Sequence, residues 1–183
     1  MRVITGSARG RALETLKGED VVRPTTDKVK EAIFSAVQFE IEGRDFLDVF
    51  SGSGQMGIEA LSRGAKSATF LDTSGEAIRC IERNLKVTNL THLAKIHRCD
   101  ALSFVQTTGE KFDIAFLDPP YNSGLLQEIL PNIVQIMKKT GVIICESSLN
   151  DKILQKYYKF TLDRERRYGK IKVSIYRNEE FVR

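Results

Sequence analysis

The chain has 183 residues, 42% of them hydrophobic, enough for one domain with a sizeable core and too few for two full-sized ones. Three cysteines (Cys80, Cys99, Cys145) in separate segments argue against a disulfide framework or zinc site. With no secretory leader in "MRVITGSARG" and no apolar run of membrane-spanning length, they suit a cytoplasmic protein without membrane or metal partners. The net charge of +4 divides into +3 over residues 1–30, −4 over 31–149 and +5 over 150–183, which fits either a polyanion held by basic ends over an acidic site or ordinary solvated surface.

In chain order, "GSARGRAL" sets Arg9 and Arg11 around Gly10 on an expected hairpin tip, where they would hold RNA phosphates or stand in a solvated loop. "RPTTDKVKEAIFSAV" reads as a helix entered through Thr25 or Thr26, with Val29, Ile33 and Val37 as its buried stripe. Then apolar runs of strand length alternate with segments of helical period. The strands are expected at 46–50, 67–72, 94–99, 112–118 and 141–147. The helices are expected at 55–64, 74–89, 101–108 and 123–139, with Ile78, Ile81 and Leu85 on one buried face and a kink or restart at Pro131. Strand, helix, strand repeated in this way predicts an α/β fold with a parallel sheet, helices on both faces, and ligands at the carboxyl ends of the strands. "YYKFTLDRERRYGKIKVSIYR" closes it as an antiparallel hairpin turning near Tyr168-Gly169, and Arg164, Arg166 and Arg167 on it repeat the choice between RNA contact and solvated surface.

"LDVFSGSGQMG" spells G-x-G-x-x-G with Gly52, Gly54 and Gly57 between a strand and a helix. The pattern serves dinucleotides and other ligands alike: glycine lets backbone approach the ligand, the helix N-terminus favours an anion, and Asp72 ends the next strand where a ribose would be held. Asp48 beside the loop would repel a pyrophosphate and welcome an ammonium or sulfonium group, which disfavours an NAD-dependent oxidoreductase and favours S-adenosylmethionine. Asp100 follows the third strand, where it or its neighbouring backbone would read an adenine amine. Ser53, Thr73 and Ala101 complete the expected cofactor set, and Asp118 borders it.

"FLDPPY" is the remaining motif. A base amine is a poor nucleophile because its lone pair is delocalised, so both its hydrogens need acceptors: the Asp118 carboxylate and the Pro119 carbonyl. Pro119 and Pro120 add no N–H donors, and Tyr121 gives a flat face on which an extruded base would stack, a role that needs the ring and not the hydroxyl. Asp118 leans towards guanine, whose N1–H lies beside its N2 amine. His92 and His97 receive no role.

On "RVITGSARGRAL", "RPTTDKVKEAIF", "FLDVFSGSGQMGIEALSRGA", "FLDPPY" and "YGKIKVSIYR", nearly the whole chain, the sequence resembles the RsmD-type ribosomal RNA guanine-N2 methyltransferases. The resemblance implies a Rossmann-like class I methyltransferase fold, with a mostly parallel seven-stranded sheet ending in an antiparallel hairpin. It implies one domain over 1–183, a basic extension and helix at 1–40 and a catalytic core at 41–183. It also implies S-adenosylmethionine as cofactor and a guanine of small-subunit (16S) ribosomal RNA as substrate, free or in a particle or assembly intermediate, with Arg23, Thr25 and Thr26 added to the RNA contacts. Asp72 stands where that family commonly has Glu, and "SGSGQMG" where it has "AGSGALG". An adenine-N6 methyltransferase on RNA or DNA and a non-catalytic RNA-binding assembly factor on the same scaffold are the alternatives.

Overall fold

The computed structural model describes residues 1–16 and 26–181, so Arg23 and Thr25 lie outside the described residues. Eight strands form one sheet in the order β3-β2-β1-β4-β5-β8-β7-β6. The parallel part comprises β1 (Asp45–Asp48), β2 (Ser67–Asp72), β3 (Ala94–Arg98), β4 (Phe112–Leu117) and β5 (Met137–Ser148). The antiparallel edge is β8 (Ile171–Asn178), β7 (Phe160–Tyr168) and the two-residue β6 (Lys156–Tyr157). β6 is the strand beyond the expected seven; two residues, Lys156 and Tyr157, carry too little pattern to be read as a strand.

Alternation along the strands explains the layers. Phe46, Ile114, Phe116 and Ile144 pack on one face with the helices α1 (Asp27–Ala36), α2 (Gln55–Ser62) and α3 (Gly75–Thr88). Leu47, Ala115, Leu117, Ile143 and Cys145 face the other way, towards α4 (Ala101–Thr107) and α5 (Leu125–Ile136). Burying both faces makes the central strands continuous apolar runs, the signal by which they are legible.

The helices begin where the sequence supplies caps. Thr26 accepts from the Val29 amide at 3.4 Å, Ser74 from the Glu76 and Ala77 amides, and Asp100 from the Ser103 amide at 2.8 Å. Ile81 and Leu85 lie on the buried stripe of α3 as expected, while Ile78 is only partly buried and Ala77 takes the buried place beside it. α5 passes through Pro131 without restarting, and its expected end at 137–139 belongs instead to β5, because Met137 pairs with Phe112. The register then shifts between Phe112 and Ile114, and a side chain at Gly141 would lie 2.9 Å from the Lys138 carbonyl and 3.2 Å from that of Asp113.

Residues 1–16 pack against this core as a hairpin, with Val3 and Arg11 joined by Val3 N–H to Arg11 carbonyl at 3.0 Å and Arg9 and Arg11 exposed at its tip. Gly6 has φ +90°, and any Cβ there would strike the Ser62 carbonyl at 1.7 Å, so the hairpin sits backbone to backbone on the C-terminal end of α2. Beneath it the fully buried Glu59 accepts from the Ile4 and Thr5 amides at 2.8 and 3.0 Å and from Arg63 Nε at 2.7 Å, with the Lys30 ammonium 3.7 Å away. Lys30, itself 0% exposed, donates to the Arg2 carbonyl at 2.6 Å, and its pKa is lowered by burial against the opposing pull of Glu59 and Asp27.

Candidate active site

The strand order reverses between β1 and β4, and a cavity of about 580 Å³ opens at the carboxyl ends of the strands around that point. Asp48, Asp72, Asp100 and Asp118 all line it, from the ends of four different strands. Gly52, Ser53, Thr73, Ala101, Pro119, Pro120 and Tyr121 line it as well.

The three motif glycines divide the work. Gly52 lines the cavity, whereas Gly54 and Gly57 shape its wall from behind. Gly54 is the left-handed N-cap of α2 at φ 78°, and a Cβ at Gly57 would lie 2.3 Å from the Phe70 ring, so the start of α2 is pressed directly onto β2. Gly54 has no side chain to cap α2; the Asp48 carboxyl, from the end of β1, accepts the Gly57 amide on Oδ2 at 3.0 Å.

Asp48 is 1% exposed, and desolvation pushes its pKa up to about 7, with the Gly57 amide opposing that rise and Asp72 adding to it. A cation brought beside a carboxyl buried in this way would favour its ionised form. Asp72 accepts the Gly52 amide on Oδ2 at 2.9 Å and the Ser74 amide on Oδ1 at 2.8 Å. Those two bonds lock the carboxylate in place and leave one lone-pair direction on each oxygen for hydroxyls. Asp100, the α4 cap, has its pKa lowered by the Ser103 amide and remains an exposed acceptor at the rim. An aminoacyl sulfonium nucleoside fits this set: a buried acid for positive charge, a fixed carboxylate for a ribose, and a helix N-terminus with its glycine loop for a carboxylate group.

Asp118 follows β4 directly, partly buried, with Pro119 buried and Pro120 exposed. Tyr121 is 37% exposed, and its hydroxyl donates to Glu146 Oε1 at 3.0 Å. Burial first, then Asp118 and Glu146, raise the Tyr121 pKa, so the phenol keeps its proton and remains a donor. The sequence pattern assigns this hydroxyl no part; in the structure it has a partner in Glu146. Glu146 also escapes a reading of the sequence, although an acid closing the apolar run "GVIIC" is the same strand-end signal that marks Asp48, Asp72, Asp100 and Asp118. Glu128 on α5 and Phe50 after β1 line the cavity too, with no motif to announce them.

The expected RNA contacts are spread out. Arg166 and Arg167 stand on β7 near its turn with β8, at the same end of the sheet as the cavity, with Arg166 in register with Val173 and Val173 with Glu146. Arg9 and Arg11 instead lie by the C-terminal end of α2, the end remote from the glycine loop. Thr26 spends its hydroxyl on the α1 cap. Among the described residues no group of His, Cys, Asp and Glu is arranged to hold a metal, and no helix is long and apolar enough to cross a membrane.

The family model described as "Conserved hypothetical protein 95" matches residues 1–177. The chain belongs to that family. It is 38% identical to "Putative rRNA methyltransferase YlbH" of Bacillus subtilis (strain 168), over 97% of this chain and 98% of the relative. It is 33% identical to "Ribosomal RNA small subunit methyltransferase D" of Haemophilus influenzae, over 97% and 94%. Among solved structures, an Escherichia coli protein described as "Putative methyltransferase yhhF" superposes with a TM-score of 0.87 at 32% identity, covering 97% of each chain. These names agree with the resemblance to RsmD-type methyltransferases, and the fold is the Rossmann-like one of that family.

Proposed function

We propose that this protein is an S-adenosylmethionine-dependent methyltransferase acting on the exocyclic N2 amine of a guanine in small-subunit ribosomal RNA. The observation that carries the reading is the Asp118–Tyr121 loop set on the rim of an acid-lined cavity at the β1/β4 crevice. Asp48 would meet the cofactor's positive charge, Asp72 its ribose hydroxyls, the glycine loop its carboxylate, and Thr73, Asp100 and Ala101 its adenine end. When bound, S-adenosylmethionine supplies an electrophilic methyl group on sulfonium sulfur.

The chain's own residues prepare the amine. The Asp118 carboxylate and the Pro119 carbonyl accept its two hydrogens, which turns the nitrogen lone pair towards the cofactor side of the cavity. Tyr121 holds the extruded base by its face. As positive charge develops on nitrogen, Asp118 stabilises it and is placed to take, or pass to water, the proton that must leave. The substrate reading rests on the relatives' names and on the acceptor at position 118, which suits guanine's adjacent N1–H and N2 donors. Arg166 and Arg167, at the cavity's end of the sheet, would hold RNA phosphates, and the cytoplasm would be the site of action.

The test is transfer of labelled methyl groups to small-subunit ribosomal RNA, naked and in particles, followed by nucleoside mass spectrometry. N2-methylguanosine is expected. N6-methyladenosine would replace the substrate, and no methylated nucleoside with either form would refute the enzyme reading.

A further inference from the structure

Resting on that reading, we infer that Glu146 is a positioning residue for methyl transfer: it fixes the ring of Tyr121 through the phenol hydroxyl and so sets the plane on which the target base stacks. Glu146 is 1% exposed, two positions before β5 ends at Ser148, and the Tyr121 hydroxyl reaches its Oε1 at 3.0 Å. A buried carboxylate needs donors, and a half-exposed ring is steadied when its far end is held. The bond therefore serves both partners. Left to itself, an exposed aromatic side chain samples rotamers on a nanosecond scale, and a base stacked on it would move with it.

The spacing along β5 supports the same conclusion. Residues two apart on a strand share a face, so Glu146 and Ser148 point the same way. Ser148 Oγ lies 3.2 Å from Asn122 Oδ1. Two successive side chains on one face of β5 thus hold two successive residues of the D-P-P-Y-N loop. Asn122 has φ 57° and Gly124 φ 77°, so two left-handed residues flanking Ser123 turn the chain from these anchors into α5. Gln127 Nε2 adds a third tie, to the Lys152 carbonyl at 2.6 Å, between the start of α5 and the segment after β5. The loop that presents the base is tied to β5 and its following segment, not merely to β4 from which it emerges.

The experiment is a double-mutant cycle with Tyr121→Phe, Glu146→Ala and the pair, measured as the single-turnover rate of methyl transfer to small-subunit particles. Cofactor affinity by calorimetry and thermal melting report on folding. Each single variant is expected to slow transfer by about tenfold, the usual scale of a lost hydrogen bond to a charged group, with cofactor affinity within about twofold of wild type. In the Tyr121→Phe background Glu146→Ala should cost no more than about twofold further, because the hydroxyl it would hold is gone. A Glu146 needed only for packing would cost the same in both backgrounds, and losses that multiply overturn the inference. Should Glu146→Ala melt below the assay temperature, Glu146→Gln keeps the shape and one acceptor oxygen; its expected loss of about threefold should likewise vanish in the Tyr121→Phe background. Wild-type protein that transfers no methyl group overturns the function reading and this inference together; wild-type transfer without coupling overturns the inference alone.

Discussion

Replacing Asp48 by Asn removes a carboxyl that the ligand-free fold keeps partly protonated at neutral pH, and the consequences can be worked out from its pKa of about 7. If Asp48 must ionise to meet the cofactor's positive charge, binding releases a proton whenever the free protein carries one there. At pH 6, one unit below that pKa, about nine-tenths of the molecules are protonated, so affinity should be about tenfold below its plateau, or about 1.4 kcal/mol. Calorimetry in buffers of different ionisation enthalpy should show release of about 0.9 proton at pH 6, about 0.5 at pH 7 and little from this group at pH 8. The cofactor's own amino group, with an ordinary pKa of about 7.7–8.0, titrates in both proteins, so the difference between wild type and Asp48→Asn isolates residue 48. The stability of the ligand-free protein gives a second reading of opposite sign. Because the folded pKa lies above the ordinary 3.8, the folded state binds this proton more tightly than the unfolded chain, and stability is lost as pH rises from about 4 to about 7. Asp48→Asn should therefore melt higher than wild type at pH 8, by up to about 4 kcal/mol, and converge with it near pH 4. Equal proton release in the two proteins, with the same dependence of affinity on pH from 6 to 8 in both, would refute the assignment of Asp48 to the cofactor's cation.

Asp118→Ala should slow single-turnover methyl transfer by about a hundredfold or more, roughly 3 kcal/mol, while cofactor affinity measured by calorimetry changes much less; a normal rate would remove the amine clamp. Glu59→Ala strips the buried Lys30 of its carboxylate and two backbone amides of their acceptor, so chemical denaturation should show a loss of about 3–5 kcal/mol, against near-wild-type stability for a surface change such as Glu82→Ala. Charge reversal at Arg166 and Arg167 should flatten the salt dependence of RNA binding by about 0.7–0.9 in logarithmic slope for each phosphate no longer held, and the same change at Arg9 and Arg11, remote from the cavity, gives the comparison that shows which basic end the RNA follows.

The sequence by itself determined the parallel sheet, its helices and the four acids at strand ends, because these are local patterns: apolar runs of strand length, helical periods, a threonine ahead of α1, and glycines between strand and helix. It also carried the Asp118–Tyr121 loop, since those four residues are adjacent in the chain. Tertiary structure alone decided what depends on register between distant segments. The end of α5 became the start of β5 because Met137 found Phe112 across the sheet, overriding a helical period. The elements packed against α3 bury Ala77 rather than Ile78 beside Ile81 and Leu85. The tie from Tyr121 to Glu146 spans 25 positions and exists only because β5 lies beside β4, so the hydroxyl looked dispensable in the sequence. The raised pKa of Asp48 likewise comes from burial by residues far apart in the chain: desolvation is a property of the folded surroundings, and no short stretch of sequence contains them.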